Sequence, residues 1–202
     1  MHGLENHKAL HYNQEIAIPR ALIYEMSKGE TLYYKGYKDY LRGNKSIEEL
    51  MGSSYLQVFL IIEIIKRLLK ELPDSYQVFT NELGVIHEQG SWRLLDIAVY
   101  LKENLKDVPL DNKYLTIPPE VAIEIDTKAD LDKFFSAMDY VYGKTDDLLK
   151  FGVKKVIWIF TNSKKIMIAS TGKQWITVNW SEPISVIEDI VINLEEMVIG
   201  KI

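Results

Sequence analysis

The sequence predicts an α/β protein built on a mixed sheet, and three observations predict it. Two stretches, about residues 54–71 and 131–151, carry apolar side chains at helical intervals. Between and after them lie short runs rich in β-branched and aromatic residues, which read as strands. Their order is helix, strands, helix, strand, with acidic residues set inside two of the strands where a core strand is ordinarily apolar.

The chain has 202 residues, about one domain, and enough length for a real core. An apolar fraction of 47% and a charged fraction of 26% are ordinary globular values. A net charge of -5 argues against a protein that coats nucleic acid by charge alone, while leaving room for an enzyme that touches it through a local patch. The absence of cysteine excludes disulfides, thiolate metal sites and thiol nucleophiles, and a reducing cytoplasm is the expected home. The start has no basic flank followed by an apolar run, so no signal peptide is expected, and Tyr55 to Ile65 is too short to span a bilayer.

Residues 1–20 are polar and weakly patterned, an expected loose arm, and His7 and His11 within it lack a carboxylate partner for a metal. Ala21–Met26 and Thr31–Tyr37 flank Ser27-Lys28-Gly29-Glu30 and predict a hairpin. Ser46-Ile47-Glu48-Glu49 is a capping box for a short helix that Gly52 stops. Residues 1–50 are thus expected to form an arm, a hairpin and a short helix packed on a single unit of residues 51–202.

Ser53 or Ser54 caps the long apolar helix. Val58, Phe59, Ile61, Ile62, Ile65, Leu68 and Leu69 cover most of its circumference, which predicts a deeply buried helix, with Glu63 paired to Arg67. Tyr76–Thr80 reads as a strand, Asn81–Gly84 as a turn or strand end, and Trp92–Leu101 as a strand covered on both faces. Asp96 stands in the middle of the last and needs hydrogen bonds, a cation or a metal to be tolerated there. Residues 102–116 read as a polar connection. Leu131 to Tyr142 predicts an amphipathic helix interrupted at Gly143 and resumed to Gly152, with Lys144 at the interruption. Val156–Phe160 predicts a buried strand, and Lys164–Ser170 with Lys173–Trp180 a terminal meander. The tail Ile190–Met197 reads as a strand edge or a short helix. Lys154, Lys155, Lys164, Lys165 and Lys173 form either a phosphate-contacting patch or ordinary solubilising charges.

The stretch that matters most is Ile117 to Lys128. Pro118 and Pro119 suit its start, and period two then sets Val121, Ile123 and Ile125 on one face and Ala122, Glu124 and Asp126 on the other. Carboxylates at Glu124 and Asp126, roughly 6.5 to 7 Å apart along a strand, repel unless a cation relieves them. Either this is a site or the charged face is solvated. If neighbouring strands bring Asp96 to Glu124, a hard, oxygen-preferring ion such as Mg²⁺ or Mn²⁺ is the expected ligand, and a lysine nearby would orient water for attack on a phosphodiester.

Three segments carry a family resemblance: Pro119-Glu120-Val121-Ala122-Ile123-Glu124-Ile125, the upstream Leu95-Asp96-Ile97-Ala98-Val99-Tyr100, and the downstream Lys144 to Trp158. Taken in order, over about residues 50–180, they resemble the bacterial Uma-two family of the PD-(D/E)XK nuclease superfamily. The resemblance implies a restriction-endonuclease-like αβββαβ core, a divalent metal bound by Asp96 and Glu124, and DNA as the substrate; a homodimer is expected by analogy, since cutting both strands often takes two sites. Leu95 stands where the superfamily has proline, and Asp126 where it has lysine. Two registers accommodate the second departure: Lys144 supplies the lysine from the following helix, or Asp126-Thr127-Lys128 is itself the metal-binding and lysine motif. The expected activity is metal-dependent DNA cleavage. A nuclease fold that no longer cuts and serves binding or oligomerisation is the alternative, and an RNA or small-molecule phosphodiesterase a third.

Overall fold

The computed structural model describes residues 18–201. After a single 3-10 turn at Arg20–Leu22, β1 (Ile23–Ser27) and β2 (Glu30–Tyr33) form the expected hairpin. Its two-residue turn puts Lys28 at φ 51 and Gly29 at φ 78, the left-handed pair that matches strand twist. Two short helices follow, α1 (Tyr37–Leu41) and α2 (Ile47–Met51), the second with the Ser46/Glu49 capping box and Gly52 as its stop. Next come α3 (Tyr55–Glu71), β3 (Tyr76–Glu88), β4 (Ser91–Leu101), the short α4 (Lys102–Leu105), β5 (Val121–Ile125) and α5 (Ala137–Phe151). The chain ends with β6 (Lys155–Phe160), β7 (Lys165–Ser170), β8 (Ile176–Asn179), β9 (Ile184–Ile187), β10 (Ile190–Ile192) and α6 (Leu194–Val198).

The run α3-β3-β4-β5-α5-β6 is the αβββαβ core that the resemblance implied. Eight strands form one mixed sheet in the order β2-β1-β4-β5-β6-β7-β8, with β3 also paired to β4. Among the named strands of the described residues only β5 and β6 pair in parallel, joined through α5. The N-terminal hairpin is part of this sheet, since Met26 pairs with Trp92. The sheet separates two cores. On one side α5 and the hairpin meet an aromatic layer that includes Tyr24, Tyr34, Tyr100, Tyr140 and Trp158. On the other, α3, α6 and the β9-β10 ribbon enclose an almost wholly aliphatic layer that includes Ile64, Leu68, Ile97, Ile123, Ile125 and Ile157.

Several expectations need correction. The long helix is not buried all round: Gln57, Leu60, Ile64 and Leu68 face the core, whereas Tyr55, Val58, Ile62 and Leu69 are exposed. Glu63 pairs with Lys66 and Arg67 with Glu71, not with each other. Residues 76–88 form one strand, because Asn81 and Glu82 (φ 71 and 55) enter as a bulge instead of ending it. α5 runs unbroken through Gly143 and begins only at Ala137, after a Ser136/Asp139 capping box. The tail forms both a strand and a helix, the strand in the separate β9-β10 ribbon. His7 and His11 lie outside the described residues.

Candidate active site

β4 is the strand that positions the site. β3 follows one of its edges from Ser91 to Leu101, so β1 and β5 must share the other. β1 reaches it only at Trp92 and β5 only from Ile97 onward, which opens a fork at residues 93–96. Backbone groups in such a gap need partners as much as those in a ladder. Side chains supply them: Glu25 Oε1 accepts from Leu94 N–H at 3.1 Å, Lys144 Nζ donates to Leu94 O at 2.6 Å, and Asp96 Oδ2 accepts from Ile125 N–H at 2.8 Å. Charged groups are therefore drawn into the sheet by the fork itself.

Glu124 is only 2% exposed, and every residue of β5 is buried, so the solvated-face reading of this strand fails. Lys144, from the middle of α5, is fully buried between two carboxylates: its Nζ stands 2.9 Å from Glu124 Oε2 and 2.8 Å from Glu25 Oε1. With Leu94 O these acceptors account for all three ammonium donors. Arg93 continues the chain, bonding Glu25 Oε2 at 2.8 Å and Asp147 Oδ2 at 2.5 Å, while Tyr140 donates to Glu25 Oε2 at 2.9 Å. Glu25, Arg93 and Asp147 went unnoticed in the sequence. Glu25 carried the same signal as Asp96, an acid between strand formers, and Asp147 lies one helical turn from Lys144.

A charge count defines the centre. Glu25 and Asp147 balance Lys144 and Arg93, and Lys128 pairs with Glu82 at 2.5 Å. Glu124 and Asp96 are left as surplus acids. Burial, offset in part by Lys144 and reinforced by the charge of Asp96, pushes the Glu124 carboxyl up to about 8. Burial likewise raises Asp96, partly offset by its bond from Ile125. At Glu25 burial is outweighed by Lys144 and Arg93, which hold its carboxyl below the ordinary range. Burial acts against the charge of Lys144, but Glu124 and Glu25 overcome it and raise its pKa.

Asp96 comes level with Glu124 one step beyond the Ile97–Ile123 pair. The two carboxylates meet the fork from different sides. Asp96 lies on the wall of a cavity of about 320 Å³ with Glu82, Lys128, Thr80 and, from α3, Val58 and Ile62, while Glu124 turns to Lys144. The β3 bulge sits opposite Asp96, and the alternation of β4 slips there: Leu95 and Ala98 pack in the aromatic layer, Ile97 and Val99 in the aliphatic one.

Asp126 does not continue the row of Glu124. At φ 56 it turns out of the strand, and its oxygens accept from Thr161 N–H at 2.9 Å and Thr161 Oγ1 at 2.5 Å, fastening β5 to the end of β6. Lys128 does reach the Asp96 cavity, bonded to Glu82 and to Met51 O, which leaves it one free donor. Of the five late lysines, Lys155 bonds Ser185 O and Val186 O, and Lys165 bonds Asn179.

Among the described residues no group of three or more His, Cys, Asp or Glu side chains stands ready to hold a metal. The residues nevertheless fit a hard cation. Glu124 Oε1 is buried without a hydrogen-bond partner, the charge of Asp96 is near enough to act on Glu124, and Mg²⁺ commonly takes only one or two carboxylates, with water and substrate phosphate completing its shell.

No family model matches the chain, and no curated protein is similar to it at a significant level. Among solved structures it is similar to a crystal structure from Anabaena variabilis, described as "a putative nuclease belonging to DUF820", which is the Uma-two family. The TM-score is 0.62 at 12% identity, over 86% of this chain and 88% of that one. The likeness is one of fold, so the chain has a mixed α/β, nuclease-like fold with a buried charge cluster at the fork of its central strand.

Proposed function

We propose that the protein is a metal-dependent nuclease in which Asp96 and Glu124 hold a divalent ion, Mg²⁺ or Mn²⁺, and DNA is the substrate. The observation that carries this is the surplus of two acids at the fork, one of them buried with an oxygen that nothing satisfies. The nuclease-like fold and its likeness to a DUF820 protein support the same reading.

A bound cation would polarise a phosphoryl oxygen and make a coordinated water more acidic. The chain's own residues divide the remaining work. Lys144 has no donor left for water, so it acts on Glu124, fixing Oε2 and leaving Oε1 for the ion. Glu25 fixes Lys144, and Arg93 with Tyr140 fixes Glu25. Lys128 keeps one donor free in the Asp96 cavity, and on this reading it would orient the attacking water. Glu124 carries a proton near neutral pH without a cation, and ion binding would displace it.

Plasmid nicking with Mg²⁺ or Mn²⁺ tests this, alongside calorimetric Mn²⁺ titration. Wild type is expected to nick and to bind Mn²⁺. Asp96→Asn and Glu124→Gln are each expected to lose both, with activity down at least about 100-fold. Cleavage that survives Asp96→Asn defeats the assignment. A wild type that binds no divalent ion points instead to a nuclease fold retained for binding or oligomerisation. RNA and small phosphodiesters in the same assay settle the substrate.

A further inference from the structure

The helix α3 has two apolar faces, and the fold uses one. Gln57, Leu60, Ile64 and Leu68 are buried against the sheet. Nearly opposite, Tyr55, Val58, Ile62, Ile65 and Leu69 follow one another at intervals of three, four, three and four residues, the spacing of a coiled-coil seam. This second stripe lies open except at Ile65, which is half-buried against the aliphatic layer: Tyr55 is 69% exposed, Val58 42%, Ile62 47% and Leu69 65%. A soluble helix seldom presents a continuous apolar row without a partner.

We infer that this stripe is the contact through which two copies of the chain associate, helix against helix about a two-fold axis. A seam of this spacing fits another helix of the same spacing, and the chain's own α3 has it. In an antiparallel pair centred on Ile62, Tyr55 meets Leu69 and Val58 meets Ile65 of the copy, so the surface is complementary to itself, as a two-fold contact requires. The flanking charges raise no objection, because Glu63 is paired with Lys66 and Arg67 with Glu71 on the same helix. Together with Met51, which is 36% exposed, the stripe would bury on the order of 1,000 Å² over both copies, the lower bound for a specific interface and fitting a dimer that forms at micromolar concentration. Residues 1–17 match the stripe poorly, since their large aliphatic side chains, Leu4, Leu10 and Ile16, recur at six-residue intervals.

The contact bears on the site. Val58, Ile62 and Met51 also line the cavity that holds Asp96 and Lys128, so the seam runs along its lip and a dimer would bring two such cavities to one interface. This inference does not depend on the chemistry proposed above.

Sedimentation velocity of the full chain, without metal or DNA, over about 1–200 µM tests it. A dimer is expected, reduced to monomer by Ile62→Glu or Leu69→Glu with the far-UV circular dichroism unchanged. The absence of cysteine allows a second, independent readout. Ile62→Cys, at the axis, is expected to form a disulfide-linked dimer on mild oxidation, whereas Leu110→Cys, at a fully exposed position elsewhere, stays monomeric. A wild type that is monomeric throughout overturns the inference, including the case where it dimerises only after residues 1–17 are removed, which would make that segment the stripe's cover. Monomers that float with phosphatidylcholine vesicles, or a dimer unchanged in Ile62→Glu, overturn it equally.

Discussion

The two layers on either side of the sheet solve opposite problems. The layer beneath α3 is aliphatic, with Ile64, Leu68, Ile97, Ile123 and Ile157 fully buried. The layer beneath α5 is built from large aromatic residues and contains Glu25, Arg93, Lys144, Glu124 and Asp147, all less than a tenth exposed. Apolar burial stabilises the first directly. In the second, each charge costs desolvation that its partners only partly return, so the cluster is costly to disturb and contributes little net stability. One side of the sheet holds the fold together, and the other uses part of that stability to keep acids where water would not put them.

The sharpest way to break this contrast is Lys144→Met, which leaves Glu25 and Glu124 buried without their shared cation. A loss of about 3–5 kcal/mol is expected in chemical denaturation, partly recovered in the double variant Lys144→Met/Glu124→Gln. Ile64→Ala, in the aliphatic layer, should cost about 2–5 kcal/mol while leaving Mn²⁺ affinity unchanged, so stability and site function come apart.

The titration of Glu124 gives a signature found only in the charged layer. Its folded pKa of about 8 lies above the ordinary carboxylate value, so the folded protein holds a proton that the unfolded chain gives up as pH rises. Stability of the metal-free protein should therefore fall between about pH 4.5 and 8, read as a Tm that drops as pH rises through that window. Saturating Mn²⁺ or Glu124→Gln should flatten that slope. Glu25, held low by Lys144 and Arg93, acts in the opposite sense and only as pH drops through the acid range.

Asp126 sharpens the comparison from outside the cluster. Asp126→Ala removes two bonds to Thr161 and should cost about 1 kcal/mol. Mn²⁺ binding should be unaffected. A variant that binds no Mn²⁺ would restore the reading in which Asp126 and Lys128 form the motif.

Much of this architecture was legible in the chain. The hairpin followed from Ser27-Lys28-Gly29-Glu30, the α3 start from Ser54, and the α5 stop from Gly152, because turns and caps act through a few neighbouring residues. The order helix, strands, helix, strand followed from periodicity, and the resemblance made it an αβββαβ core. Local pattern misled where burial depends on what lies opposite. An α3 apolar all round was read as buried, although the sheet covers only one side of it, and Gly143 was read as a break that the surrounding helix simply spans.

The sequence by itself determined which acids were out of place, since an aspartate or glutamate among strand formers is anomalous whatever surrounds it. It could not determine which of them share a centre. That required β1 and β5 to meet β4 on one edge and leave a fork, so that Glu25, Lys144 and Glu124, distant in the chain, complete one another across a few ångströms. Local chemistry is written residue by residue, whereas the balance of buried charge is set only when strands far apart in sequence are laid side by side.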